Sequence, residues 1–175
     1  MIKNSIRNSN PSDKGHITVY LPSYSDQRII QVISKIESVK WQVFSKRIKS
    51  HADIKNITIY PADQKTFNES IITSGGVICG AGFETPAEAL HLGKKLIAIP
   101  MRHQYEQQCN AAALEQMGIL ILDRLDSSSI ERIKKWINEG KVIKKEYHST
   151  PQEVVNTLVD NFVAINQSSY KNVLI

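Results

Sequence analysis

The segment from Val77 to Ala111 is the feature that most restricts how this chain can fold. It begins with a short apolar run, passes through a glycine-containing loop into a helical stretch, and then repeats the order of strand, loop and helix. Such alternation is typical of α/β proteins, in which parallel strands are joined by helices. The segment therefore predicts two parallel strands whose following loops lie at the same edge of a sheet.

A helix start signal follows the first of these loops. Thr85, Pro86 and Glu88 fit a capping box with Thr85 at the N-cap, Pro86 at the first helical position and Glu88 at the third. Gly80 and Gly82 precede it, and glycine lets a ligand approach the backbone. Because a helix N-terminus offers free N–H groups and the positive end of the helix dipole, the junction is a candidate anion site. The alternative is an ordinary strand-to-helix turn in which Glu88 only caps the helix.

The rest of the chain continues the alternation of strands and helices. Runs at residues 16–21, 41–44, 57–60, 95–99 and 119–122, and a run that starts at Val77, predict six strands separated by segments with helical spacing. Each connection is long enough for a right-handed crossover. The predicted fold is an α/β, Rossmann-like, doubly wound parallel sheet of about six strands with helices on both faces.

The predicted organisation is one domain at residues 16–166. Residues 1–15 are polar and predict a leader or linker, and residues 167–175 predict a frayed tail. A second capping box at Thr150 opens a last helix with a broad apolar side, which would cover the domain itself or meet another chain. The chain of 175 residues is long enough for one well-packed domain.

Composition favours a cytoplasmic protein. No run of about 18 apolar residues is present, and the first residues lack the apolar core of a signal peptide. Cys79 and Cys109 have no spacing for zinc or a disulfide, and we expect both to be buried thiols. The formal net charge of +5 is explained by a solvated basic surface or by peripheral attraction to an anionic membrane that carries a lipid-linked acceptor. Nucleic acid is not expected as a partner, because aromatic residues are not interleaved with the basic ones.

Several spaced elements resemble the donor-binding, carboxyl-terminal half of GT-B glycosyltransferases of the UDP-glycosyltransferase-like group. The signature of that group runs roughly Gly-Gly-x-x-[Ser/Thr]-x-x-Glu-Ala-Leu, then Gly-x-Pro, then a proline and a short loop, an acidic residue or His before Gln, and Asn-Ala. The corresponding elements here are residues 81–90, Gly93-Lys94-Lys95, Pro100, Glu106-Gln107 and Asn110-Ala111. This chain departs from the pattern at Gly80 and Ala81, where relatives have a histidine or the first glycine, and at Glu84, where an amide is frequent.

The resemblance implies a nucleotide-sugar site with assigned positions. The donor diphosphate would lie against the loop formed by Gly80, Ala81, Gly82 and Phe83 and against the Thr85 hydroxyl. Glu88 would accept hydrogen bonds from the ribose, because a carboxylate suits a vicinal diol. Further candidates are Glu106 and Gln107 for sugar hydroxyls, Tyr60 beside the uracil, His103 in the loop after Pro100, and Ser23 and Tyr24 in the first strand-to-helix loop.

The function implied is transfer of a sugar, most readily from a UDP-sugar, to an acceptor that the sequence does not identify. The resemblance implies no cofactor, and no Asp-x-Asp metal motif is present. No catalytic residue can be assigned, because the acceptor-binding amino-terminal half, encoded in the same gene or as a separate chain, normally supplies the general base. Without it the domain should turn over little. The alternatives are a non-catalytic nucleotide-sugar-binding or regulatory subunit and half of a sugar-nucleotide epimerase; a flavodoxin-like response domain would need an acidic trio that is absent.

Overall fold

One seven-stranded sheet organises the computed structural model, which describes residues 2–147, 152–153 and 155–162. The strand order is β3-β4-β2-β1-β5-β6-β7, and all neighbouring strands are parallel except β3 and β4. The Rossmann-like α/β prediction is thus confirmed. The strands are β1 (His16–Tyr20), β2 (Lys40–Ser45), β3 (Ala52–Ile54), β4 (Ile57–Pro61), β5 (Gly76–Gly80), β6 (Lys95–Ile99) and β7 (Leu120–Ile121).

Strand β3 was not predicted. Because it runs antiparallel to β4, the sheet is mixed rather than purely parallel. All three of its residues are exposed, and its short sequence lacks the apolar run that marks the other strands. It pairs antiparallel with β4 through a tight turn in which Lys55 has a φ of 55°. A two-residue connection can join antiparallel strands only, which fixes the direction of β3.

In the unit of residues 2–146, four helices occupy connections between strands, as expected for this fold, one precedes β1 and one follows β7. They are α1 (Asn4–Arg7), α2 (Asp26–Ile33), α3 (Gln64–Thr73), α4 (Glu84–His91), α5 (Tyr105–Gln116) and α6 (Ile130–Glu139), the last preceded by a 3₁₀ turn at Ser127–Ser129. Gly118 follows the C-cap of α5 with a φ of 87°, a left-handed conformation that glycine adopts readily at the end of a helix.

The two faces of the sheet are covered by different helices. On one face the apolar side chains of β1, β2 and β4 pack with those of α2 and α6 in one core cluster. On the other face, Thr18 of β1 shares a buried hydrogen bond of 2.7 Å with Ser70 of α3. Helix α4 packs against β5 and β6. Burial on both sides explains why the central strands are nearly continuous apolar runs.

The amino-terminal residues belong to the same compact unit as the sheet, which spans residues 2–146. Helix α1 packs against α3, and Ile6 is fully buried. The backbone N–H of Ser12 donates to Ile72, and Lys94 Nζ donates to the Ser12 carbonyl at 2.7 Å. This segment therefore packs on the domain, unlike the leader or linker expected for residues 1–15. The expectation missed this because three apolar residues in an otherwise polar stretch are too weak a signal to predict packing.

The remaining residues, from Tyr147 onward, form a separate unit. Residues 152–153 and 155–162 are helical, whereas the predicted capping residues at 150 and 151 and the predicted tail at 167–175 lie outside the described residues. Val155, Leu158, Val159 and Phe162 are each more than half exposed. None of the helices in the described part of the chain combines the length and hydropathy that a membrane span requires.

We expect Ile6→Ala to lower the free energy of unfolding by about 2–4 kcal/mol, because it removes a fully buried side chain and leaves a cavity. Urea unfolding monitored by circular dichroism provides the measurement. Ile54→Ala in the exposed strand β3 is the matched control and should cost less than about 0.5 kcal/mol. An equal, small effect at both positions would show that the amino-terminal residues do not contribute to folding stability.

Candidate functional site

The pairing of β5 with β6 brings together the two loops that the sequence analysis singled out. Gly80 lies opposite Ile99 in the parallel register, so the glycine loop and the loop after Pro100 leave the sheet side by side. A Cβ atom on Gly80 would lie 3.7 Å from Gln107 Oε1. The same oxygen accepts a 2.9 Å hydrogen bond from the Met101 backbone N–H. Gln107 thus holds the second loop in place beside the first.

A second amide links the start of α5 to the glycine loop. Asn110 Nδ2 donates to the Ala81 carbonyl at 3.1 Å and lies 3.5 Å from Glu106 Oε1. The acid-amide pair and the glycine loop, predicted as parts of one site, are therefore adjacent in the structure. Glu106 is exposed at this position, and Gly82 has open space where a side chain would be.

The start of α4 differs from the predicted capping box. The helix begins at Glu84, the N-cap is Phe83 in a helical conformation, and no side chain caps it. Thr85 is thus inside the first turn, and the prediction that it is the N-cap is wrong. Pro86 still lies in the first turn, where a missing N–H costs nothing. The consequence is a helix N-terminus without a side-chain cap, located directly after the glycine loop.

Glu88 is fully buried, and this burial is the largest departure from the predicted site. Neither carboxylate oxygen has a hydrogen-bond partner among the described residues, and Lys3 Nζ lies 3.4 Å from Oε1. The same ammonium group is 2.8 Å from Glu84 Oε1. Glu88 does not cap α4, and in this arrangement its carboxylate is closed to solvent.

The charges around Glu88 oppose each other. Burial raises the pKa of the Glu88 carboxyl above its usual value, and the neighbouring Glu84 adds to this, whereas the positive charge of Lys3 acts in the opposite direction. Burial disfavours the charged form of Lys3, but its hydrogen bond to Glu84 and the charges of both carboxylates hold the Lys3 pKa above its usual value. The cluster is thus a buried acid partly neutralised by one lysine.

The other predicted residues lie along the same edge of the sheet but not all face the glycine loop. Tyr60 stacks on Phe44 with ring centroids 5.5 Å apart and borders a cavity of about 530 Å³. The Tyr24 hydroxyl accepts a 3.1 Å hydrogen bond from the Leu125 N–H and so holds the segment after β7. Ser23 is exposed, and the side-chain cap of α2 is Ser25 instead. His103 is exposed in a turn with a φ of 62°.

The two cysteines differ in environment. Cys79 is buried at the end of β5, and burial raises the pKa of its thiol well above the usual range. Cys109 is exposed on α5, so the expectation that both thiols are buried is wrong for Cys109. The described residues contain no cluster of three or more histidine, cysteine or acidic side chains that could hold a metal ion.

Sequence reasoning missed two features near this edge. Lys3 lies 81 positions before Glu84 in the chain, and no local pattern connects them. The second feature is a cavity of about 270 Å³ at the carboxyl ends of β6 and β7, lined by Arg102, Asp123, Arg124, Ser128, Ser129 and Arg132. Arg124 pairs with Asp126, and Arg132 donates to the Ile121 carbonyl, so both guanidinium groups already have protein partners.

The sequence of this chain matches the profile of a known protein family. The profile of glycosyl transferase family 1 matches residues 1–139. Among curated proteins, no sequence matches significantly.

Solved structures of glycosyltransferases share the fold at low sequence identity. Phytolacca americana UGT2, complexed with UDP-2-fluoro-glucose and pterostilbene, gives a TM-score of 0.56 at 18% identity over 79% of this chain and 36% of its own. SnogD from Streptomyces nogalater gives a TM-score of 0.53 at 13% sequence identity, and the match covers 79% of this chain and 37% of SnogD. The solution structure of ALG13 gives a TM-score of 0.57 at 12% sequence identity, and the match covers 80% of this chain and 93% of ALG13. The chain thus spans little more than a third of the first two and nearly all of ALG13.

We expect the stability effect of Glu88→Gln to depend on pH. The folded protein binds the Glu88 proton more tightly than the unfolded chain does, so this group's stabilising contribution is complete below its usual pKa of 4.5 and is lost as the pH rises through the higher folded value. The free energy of unfolding of Glu88→Gln, minus that of the natural protein, should therefore be larger at about pH 7 than at about pH 5.

Urea unfolding at both pH values measures this difference. Glu115→Gln, at an exposed position of α5, controls for general effects of pH on carboxylates. If Glu88→Gln changes the unfolding free energy equally at both pH values, the raised pKa is contradicted.

Proposed function

The chain belongs to glycosyl transferase family 1, and we propose that it is the donor-binding, carboxyl-terminal half of a GT-B enzyme of the UDP-glycosyltransferase-like group. It would bind a nucleotide sugar, with UDP as the preferred nucleotide, for transfer of the sugar to an acceptor. The observation that carries the proposal is the position of the glycine loop. It lies between the uncapped N-terminus of α4 and the amides of Gln107 and Asn110.

The diphosphate is assigned to the glycine loop and the first turn of α4. Phe83 supplies no side-chain cap, so N–H groups of this turn are available to an anion. Gly82 has no neighbouring atom within 4 Å of the place a Cβ would take, so the approach to the backbone is open. The half-buried Thr85 adds a hydroxyl on the same turn. Glu84 on the same turn is 58% exposed, so solvent screens its charge from a diphosphate.

The transferred sugar is assigned to the start of α5. Glu106 is exposed there, and Asn110 connects it to Ala81. A carboxylate and an amide together can accept from and donate to sugar hydroxyls. His103, exposed in the preceding turn, is a neighbour of this position, and Tyr60 and the first loop with Ser23 and Tyr24 lie toward the nucleoside side of the sheet edge.

Catalysis in this proposal rests on position and on stabilisation of the departing diphosphate. As the bond between the sugar and the diphosphate breaks, negative charge grows on the leaving group, which the helix N-terminus and its N–H groups favour. The acceptor and the general base are assigned to an amino-terminal half, in the same protein or in a separate chain. Cytoplasmic location and peripheral membrane association of the complex remain part of the proposal.

We expect the protein to bind UDP in preference to GDP and ADP. At a concentration of about 100 times its dissociation constant, UDP should add about 2.7 kcal/mol to the free energy of unfolding. Isothermal titration calorimetry measures the dissociation constants of the three nucleotides, and the rise in melting temperature reports the added stability. Glu88→Gln should weaken UDP binding by about 1–3 kcal/mol if the carboxylate holds the ribose.

Two outcomes of that titration count against the proposal. Equal binding of all three nucleotides would leave an anion site without base recognition. Absence of binding at millimolar UDP would contradict the assignment of the donor site to this chain. Binding of a UDP-sugar without turnover, even after an acceptor-binding half is supplied, would favour a non-catalytic binding subunit.

We expect Glu106→Gln to weaken binding of a UDP-sugar and to leave binding of UDP unchanged, because the side chain is assigned to the sugar. The expected loss is about 1–3 kcal/mol, the range for a hydrogen bond to a charged group. Calorimetric titration of the variant with UDP and with UDP-glucose separates the two ligands. Glu115→Gln on the same helix is the matched control. Equal losses for both ligands would place Glu106 at the nucleotide instead.

A further inference from the structure

The amino-terminal residues cover the carboxylate that the proposed function assigns to the ribose. Ile2 and Ile6 are 6% and 0% exposed, and Lys3 places its ammonium group against both Glu84 and Glu88. The side chain of Ser5 accepts a 3.0 Å hydrogen bond from Asn68 of α3. Residues 2–7, which we call the strap, thus contact both α3 and α4.

The buried state of Glu88 is unusual for a residue with only a structural role. A buried carboxylate is normally compensated by several hydrogen bonds, because removing it from water without them is costly. Glu88 has an ion pair at 3.4 Å and no hydrogen bond to either oxygen among the described residues. Its hydrogen-bonding capacity is therefore unused while the strap is docked.

The strap is joined to the domain by a segment that can act as a hinge. Residues 8–11 are mostly exposed, and the described bonds of this segment are local ones from Asn8 and Ser9 back to α1. By contrast, the chain is firmly attached from Ser12 onward, through backbone hydrogen bonds of Ser12 and Lys14 to the end of α3 and through Lys94. The hydrogen bonds that attach residues 12–14 to the domain therefore do not involve residues 2–7.

We propose that the strap is a displaceable cover of the nucleotide site, and that nucleotide binding and strap docking compete for Glu88. This inference rests on the proposed function, because it assumes that Glu88 accepts the ribose hydroxyls. In the closed state Lys3 partly neutralises the acidic pair on α4. In the open state the ribose would supply hydrogen bonds that the described residues do not give Glu88.

Competition of this kind makes two effects reciprocal. Any change that weakens docking of the strap must raise the apparent affinity for nucleotide, since the binding-competent fraction grows. By linkage, the factor by which docking of the strap lowers nucleotide affinity equals the factor by which bound nucleotide weakens docking of the strap. A strap with only a structural role would show neither effect.

The first measurement compares UDP affinity in the natural protein, in Lys3→Gln and in Lys35→Gln. Lys3→Gln should bind UDP about two- to five-fold more tightly, the factor that corresponds to loss of one partly exposed ion pair. Lys35 is exposed beyond the end of α2, and its substitution removes the same charge without touching the strap. Loss of a positive charge by itself would weaken binding of an anionic nucleotide, so tighter binding identifies competition.

The second measurement follows the strap directly. In Ile6→Cys the introduced thiol is buried while the strap is docked. Saturating UDP should accelerate its labelling by an alkylating reagent about ten-fold or more, because competition holds the bound protein in the open state, which is only a minor fraction of the free protein. Peptide mass spectrometry separates it from the exposed Cys109, and the natural protein labelled with and without UDP reports any effect of the nucleotide on Cys109 itself.

The outcomes distinguish the two proposals. If UDP binds but Lys3→Gln does not bind it more tightly, or if UDP leaves labelling at position 6 unchanged or slower, the strap proposal is overturned and the donor site stands. If no variant binds UDP, the proposed function fails and the strap proposal falls with it.

Discussion

The parallel pairing of β5 with β6 is the constraint on which the rest of the candidate site depends. Because both strands run in the same direction, their following loops must leave the sheet at one edge, and the register places Gly80 beside Ile99. From α5, Gln107 then accepts from Met101 in the second loop and lies beside Gly80. Asn110 of the same helix donates to Ala81 in the first loop. A shift in this register would separate the glycine loop from the start of α5, although every residue of both motifs would still be present in the chain.

Helix α4 combines an open N-terminus with a buried acid less than two turns later. The uncapped end favours negative charge, whereas Glu88 is itself negative and has lost its solvent. Lys3 reconciles the two, because one ammonium group lies near both carboxylates of the helix. The electrostatics of the site therefore depend on a residue that is distant in sequence, and a fragment that lacked residues 2–7 would present a different charge to a ligand.

Family membership and fold similarity carry different weight for this protein. The family profile covers residues 1–139, and the compared structures share the fold at 12–18% identity. Identity at that level supports the arrangement of strands and helices, while the roles of Glu88, Glu106 and Gln107 depend on the local geometry and on ligand titration. The geometry favours the glycine loop and α5 as parts of one site more directly than it favours Glu88, whose carboxylate is covered.

The sequence by itself determined the α/β alternation, six of the strands and the adjacency of the two loops, because apolar periodicity, glycine stops and strand direction are local or follow from topology. It did not determine β3, whose exposed residues carry no apolar pattern, nor the exposure of Cys109. Only the tertiary structure decided where α4 begins, that the Tyr24 hydroxyl holds the segment after β7, and that Glu88 is buried beneath Lys3. The last two depend on contacts between residues far apart in the chain, and neither spacing nor composition records such contacts.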